Sequence, residues 1–145
     1  MLQIENLTKV YETGTVALKD VSFNVEEGEF LVVIGLSGSG KSTLLRCINR
    51  LIDPTSGKIL WDGVDVTDAS ETELRNIRRS IGMIFQHFNL VDRSSVMTNV
   101  LAGRSGYVNP WWSLLNYYPA QDRKRALEAL ERVGIADKAR IGPTP

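Results

Sequence analysis

A chain of 145 residues with 17 basic and 17 acidic side chains carries no net charge, so global electrostatics gives it no reason to bind nucleic acid or an anionic lipid surface. Its 43% hydrophobic content fits one soluble globular domain with a sizeable core. No apolar run approaches the roughly 18 residues of a membrane span, and residues 1–5 lack the basic and apolar regions of a secretory signal, so a cytoplasmic location is expected.

In chain order, Leu2-Gln3-Ile4-Glu5-Asn6-Leu7 alternates like a half-buried strand, and Val21, Phe23 and Val25 alternate likewise within residues 16–25. Glu26-Glu27-Gly28-Glu29 supplies a polar turn. Residues 30–34, Phe-Leu-Val-Val-Ile, form a continuous, largely β-branched apolar run, the pattern of a strand buried on both faces. The next residues, Gly35-Leu36-Ser37-Gly38-Ser39-Gly40-Lys41-Ser42, match G-x-x-x-x-G-K-S/T, a phosphate-binding loop. Its glycines let the backbone curl with N–H groups turned inward, a nest for phosphate oxygens. Lys41 is placed to reach terminal phosphates and the Ser42 hydroxyl to coordinate Mg²⁺. Thr43 opens a helix whose apolar stripe is read as Leu44, Ile48 and Leu51. Strand, glycine loop and helix N-terminus together are the setting of an anion site. Cys47 falls in that helix; as the single cysteine it has no internal disulfide partner and is expected to be a small core hydrophobe.

Beyond the loop, Asp62-Gly63 between two short apolar runs signals a two-residue hairpin. An antiparallel layer beside the phosphate-loop unit is therefore expected. Ser70 and Glu73 form a candidate capping box for a helix through Arg79, with Leu74 and Ile77 inward and Arg75, Arg78 and Arg79 on a solvated face. Residues 81–85, Ile-Gly-Met-Ile-Phe, are a second buried-strand candidate ending at Gln86. Val96-Met97-Thr98-Asn99-Val100-Leu101 reads as a helix closed by Gly103, and Ala126, Leu127, Leu130 and Val133 stripe another closed by Gly134. The region between, residues 107–119, is dense in Tyr and Trp, a feature of helical-subdomain core or of a docking surface. His87 has no partner at metal-ligand spacing. The resulting division is an α/β core over residues 1–86, a partial helical subdomain over 87–140 and a Gly/Pro tail over 141–145.

These residues resemble the nucleotide-binding subunit of an ATP-binding cassette (ABC) transporter over residues 1–140. The resemblance rests on Tyr11, Val16-Ala17-Leu18-Lys19-Asp20-Val21-Ser22-Phe23, GLSGSGKST, Gly57-Lys58-Ile59, Asp62-Gly63 and a strand ending in Gln86. GRSGYVNPWWSLLNYYP and DRKRALEALERVGIADKA look most like the ATPase subunit of phosphonate importers. The resemblance implies an α/β P-loop NTPase core with an antiparallel layer and the start of a helical subdomain. It implies ATP and Mg²⁺ as cofactors, with Tyr11 stacked on adenine, Gly35, Leu36, Ser37, Gly38, Ser39, Gly40, Lys41, Ser42 and Thr43 around the phosphates, and Ser42 with Gln86 toward Mg²⁺ and the attacking water. It implies membrane permease subunits as partners, a homodimer of nucleotide-binding subunits in the intact family, and a place on the inner face of the plasma membrane when so assembled.

The family's LSGGQ signature, its apolar strand ending in Asp-Glu and its switch histidine are missing from these residues. Ile59-Leu60-Trp61-Asp62 is a decoy for that strand: it turns at once through Gly63 and reads as a hairpin. The expectation is thus an N-terminal portion of such a subunit, able to bind nucleotide, lacking the carboxylates for hydrolysis, with the run 30–34 short of its parallel neighbours. Two other readings stay open. One is a complete small P-loop kinase or GTPase, although no N-K-x-D guanine motif is present. The other is a non-enzymatic remnant that docks on a permease, or a fragment without function.

Overall fold

The computed structural model describes residues 1–86, 90–108, 111 and 117–140. The expectations placed on His87, on residues 109–110 and 112–116 of the aromatic stretch and on the tail 141–145 lie outside the described residues. The chain divides into two compact units, Met1–Gly82 and Met83–Pro145.

In the first unit, strands β1 (Leu2–Val10), β2 (Val16–Val25), β3 (Ser56–Trp61) and β4 (Val64–Asp65) form one antiparallel sheet in the order β2-β1-β3-β4. This is the expected antiparallel layer. Asp62 (φ 49°) and Gly63 (φ 79°) both take the left-handed conformation between β3 and β4, as a two-residue hairpin turn requires. That settles Ile59-Leu60-Trp61-Asp62 as a hairpin strand.

Strand β1 departs from simple alternation. Both Ile4 and Leu7 are fully buried, yet residues three apart on a regular strand face opposite ways. A register shift between them reconciles the two, with Asn6 in the left-handed region at φ 49°. Asn6 N–H donates to Ser22 Oγ at 2.8 Å and its amide to Asp20 Oδ1 at 2.7 Å, so the irregularity is tied to β2. On the other side it crowds Gly57, at φ 94°, where a Cβ would stand 2.5 Å from Asn6 O and 2.6 Å from Leu7 Cα. Only glycine fits there.

Two helices complete the core. Helix α1 (Lys41–Ile48) contributes Leu44 and Cys47, and α2 (Glu71–Ser80) contributes Leu74 and Ile77, to one cluster with Ile4, Leu7, Leu18, Ile59, Val66 and Ala69. Fully burying one of its Leu, Ile or Val side chains is worth about 1.5–3 kcal/mol. Burial pushes the Cys47 thiol pKa up, away from the reactive thiolate, in keeping with a core hydrophobe. Leu51 does not extend the α1 stripe: the helix ends at Ile48, and Leu51 is exposed. The capping box of α2 forms as expected, Ser70 accepting from Glu73 N–H while Glu73 accepts from Ser70 N–H. Arg78 is not merely solvated. Its guanidinium donates to the carbonyls of Asn49 at 3.0 Å and Arg50 at 2.7 Å, satisfying acceptors past the end of α1.

The two apolar runs read as buried strands, residues 30–34 and 81–85, are in no ladder. Phe30 and Ile34 are each 89% exposed and Ile84 is 99% exposed. Pairing is what makes a strand, because each backbone N–H and C=O needs a partner. Among the described residues none runs alongside either segment.

In the second unit, α3 (Val96–Ala102) starts at Ser95, whose hydroxyl accepts from Thr98 N–H. Helix α4 (Ala120–Arg132) ends before Gly134, at φ 72°. Leu101, Tyr118 and Ala126 form the centre of its core, with Met97, Val100 and Val108 packed on it. Leu130 is buried as the stripe predicts, but Leu127 and Val133 are exposed. In place of a wider apolar stripe, α4 turns in Asp122, whose carboxylate accepts from Arg104 Nε at 2.8 Å. The Arg104 guanidinium also lies 4.1 Å from the centroid of the Tyr107 ring. Of the aromatic stretch, Tyr118 is core while Tyr107, Trp111 and Tyr117 are exposed.

Candidate functional site

The glycine loop leads into α1 without a break. Gly38 (φ 79°) and Gly40 (φ 89°) are left-handed, the conformation that turns successive N–H groups to one side. Gly35 is needed for room rather than for φ: a Cβ there would stand 2.6 Å from Ser39 Oγ. At Gly40 a Cβ would stand 2.3 Å from Ala17 O, so glycine also lets the start of α1 lie against β2.

Gly40 is the N-cap of α1, and no side chain caps it. The N–H groups of the first turn have no intrahelical acceptor and receive no cap from the Gly40 position. No acidic residue occupies that turn, and the positive end of the helix dipole faces the loop. Lys41 folds back over the loop, its Nζ donating to Gly35 O at 2.7 Å, Leu36 O at 2.6 Å and Ser39 Oγ at 3.2 Å. The ammonium thus sits among the loop atoms. Ser42 is exposed and Thr43 half-buried.

Tyr11, far away in sequence, is brought to this site. Its hydroxyl lies 3.2 Å from Thr43 Oγ1. Sequence reading missed Lys9, at the end of β1, whose Nζ lies 5.5 Å from the Tyr11 ring centroid; no motif marks it. Gln86 is exposed and belongs to the second unit. Among the described residues, no three or more His, Cys, Asp or Glu side chains cluster to hold a metal ion, and no helix is long and apolar enough to cross a membrane.

A nest of left-handed glycines, an uncapped helix start and one lysine together suit a polyphosphate. Comparison with known proteins gives the same direction. Residues 18–143 match the ABC transporter family model. The chain belongs to the ABC transporter family. Over 138 residues it is 56% identical to the phosphonates import ATP-binding protein PhnC of Lactobacillus johnsonii, covering 95% of this chain and 54% of that protein. The fold is likewise that of solved ABC cassettes. Against the ATP-binding cassette MJ0796, in a dimeric post-hydrolysis state bound to ADP and Pi, the TM-score is 0.80 at 37% identity, covering 99% of this chain and 62% of that one. Against cbiO1 of Clostridium perfringens, part of the ABC transporter complex cbiONQ, it is 0.71 at 31% identity, covering 97% and 53%. The chain thus spans about half the length of the curated relatives it matches.

Proposed function

We propose that this chain is the ATP-binding part of an ABC importer subunit, with phosphonates as the cargo class. The observation that carries the nucleotide site is the loop itself: left-handed Gly38 and Gly40, an uncapped α1 N-terminus, and Lys41 held over the loop carbonyls. In this reading, residues 35–43 hold the phosphates of ATP, Tyr11 takes the base, and Ser42 serves the Mg²⁺ side. Mg²⁺ would supply charge neutralisation of the phosphates. The cargo class is supported by the 56% identity to a phosphonate importer's ATP-binding protein. The partners would be permease subunits and a second nucleotide-binding subunit, placing the chain on the inner face of the plasma membrane.

Phosphoryl transfer depends on positioning and charge stabilisation. The sequence contains neither an LSGGQ segment nor an apolar strand ending in Asp-Glu, so these 145 residues alone would bind Mg·ATP without turning it over. Titration calorimetry of the chain with Mg·ATP tests this. Binding is expected, with loss of at least about tenfold in affinity in Lys41→Ala from removing a charged hydrogen-bond donor, and with no phosphate release above background. Equal binding by Lys41→Ala overturns the assignment of the site. Robust hydrolysis by the pure chain overturns the division between binding and cleavage.

A further inference from the structure

The far end of α1 holds a backbone strain that phosphate binding at the near end leaves unused. Past Ile48 the chain closes the helix with Arg50 N–H donating to Cys47 O at 2.9 Å and Leu51 N–H to Arg46 O at 2.8 Å. In this kind of C-terminal cap the residue at the Arg50 position takes the left-handed conformation, a place ordinarily given to glycine. Arg50 takes it at φ 51°, which is unfavourable for a residue with a Cβ. What arginine adds there over glycine is its guanidinium.

That guanidinium reaches the segment that opens α2. Its Nη1 donates to Ala69 O at 2.5 Å, one residue before the Ser70 N-cap, and its Nε to Asp53 Oδ1 at 2.8 Å. From the last turn of α2, Arg78 returns the contact, Nε donating to Asn49 O at 3.0 Å and Nη2 to Arg50 O at 2.7 Å. Both ends of α2 are therefore tied to the two residues that follow α1. Asn49 is buried, and the bonds to Ala69 O and Asn49 O are partly shielded from water, which makes them costly to leave unmade.

We propose that Arg50 and Arg78 form a clasp that makes α2 open and close together with α1, so that α2 responds to occupancy of the phosphate loop at the opposite end of α1. This rests on the reading of that loop as a nucleotide site and adds the element to which occupancy is passed. Neither arginine belongs to the loop; both are positioning residues. Linkage supplies the mechanism. A ligand that holds α1 closed slows every opening that requires α1 to open, and leaves unaltered any opening that keeps the site intact.

Amide hydrogen exchange of the whole chain, with and without Mg·ATP, reads this helix by helix. At a nucleotide concentration about ten times Kd, exchange in α1 and in α2 is expected to slow alike, by about tenfold. Arg50→Gly keeps the left-handed backbone and removes the guanidinium, while Arg78→Met removes the bonds made from α2. In both variants, at the same occupancy, α1 should still slow about tenfold and α2 should become indifferent to nucleotide. A purely structural role for the arginines would instead speed α2 exchange in the free chain and keep its slowing by nucleotide. Slowing of α2 that persists in Arg50→Gly therefore overturns the clasp and assigns the coupling to the core that Leu74 and Ile77 share with α1. Arg50→Gly decides alone should Arg78→Met fail to fold. Slowing of α1 without α2 in the unaltered chain overturns the coupling and leaves the phosphate site standing, whereas no slowing in either helix overturns the nucleotide site beneath it.

Discussion

Two kinds of apolar strand sequence occur within the first 86 residues, and they meet opposite fates. Leu2–Val10 and Ser56–Trp61 lie side by side in a ladder and send Ile4, Leu7 and Ile59 into a buried core. Residues 30–34 are more uniformly apolar than either, yet belong to no ladder, as do residues 81–85. Apolar content therefore measures how strongly a segment needs a partner, not whether one is beside it. Position in the sheet decides the rest. β1 is sandwiched between β2 and β3, both encoded within residues 2–61, whereas the loop-bearing run 30–34 has no neighbouring strand among the described residues.

The largest expected effect breaks or confirms this contrast directly. Ile59→Ala removes a fully buried side chain from the ladder core and should cost about 2–5 kcal/mol, as large-to-small changes in packed cores do. Ile34→Ala, at a side chain 89% exposed, should change stability by less than about 0.5 kcal/mol. Urea unfolding measures both. Ile34→Lys should leave that transition in place but lower concentration-dependent association seen by sedimentation, since a charge on an unpaired apolar segment opposes edge pairing between copies. Equal losses for Ile59→Ala and Ile34→Ala would mean that residues 30–34 are paired in solution.

The same contrast explains what was legible in the sequence. The hairpin at Asp62-Gly63, the capping box of Ser70 and Glu73 and the glycine loop were all readable because each is set by residues a few positions apart. The bulge at Asn6 was not, since it answers to Asp20, Ser22 and Gly57 on two neighbouring strands. Leu51 was misplaced because α1 ends at Ile48, and Arg78 because its acceptors at Asn49 and Arg50 are distant in sequence. In the site, the loop residues and Tyr11 were visible as motif and resemblance. Lys9 carries no motif, and only the path of β1 puts its ammonium over the ring.

A smaller effect asks whether α2 belongs to the closed side of the comparison. Its inward face carries Leu74 and Ile77, and its N-terminus is closed by the reciprocal bonds of Ser70 and Glu73. Ser70→Ala should therefore lower the stability of the whole cooperative transition by about 1 kcal/mol. If α2 were attached only locally, like the run that follows it, helix content would fall without moving the urea midpoint.

The smallest effect lies at the sheet edge, where β4 is only Val64–Asp65. Burial acts to raise the Asp65 pKa, but bonds from the Thr67 hydroxyl, Lys58 and the Thr67 and Asp68 N–H groups outweigh it and hold the carboxyl below its ordinary value. A pKa lower in the folded chain than in the unfolded one means that the ionised group favours folding. That contribution is fully present above the unfolded value, about 4, and is lost as pH falls through the folded one. Asp65→Asn should accordingly cost roughly 0.5 kcal/mol near neutrality, and the gap between variant and parent should close as the pH is lowered below about 4. Urea midpoints measured from pH 7 downward check this. A gap that stays constant with pH would mean that β4 is held by its two backbone pairings with β3 and the Thr67 turn alone, so that the ladder, and not the charge at its rim, closes this edge.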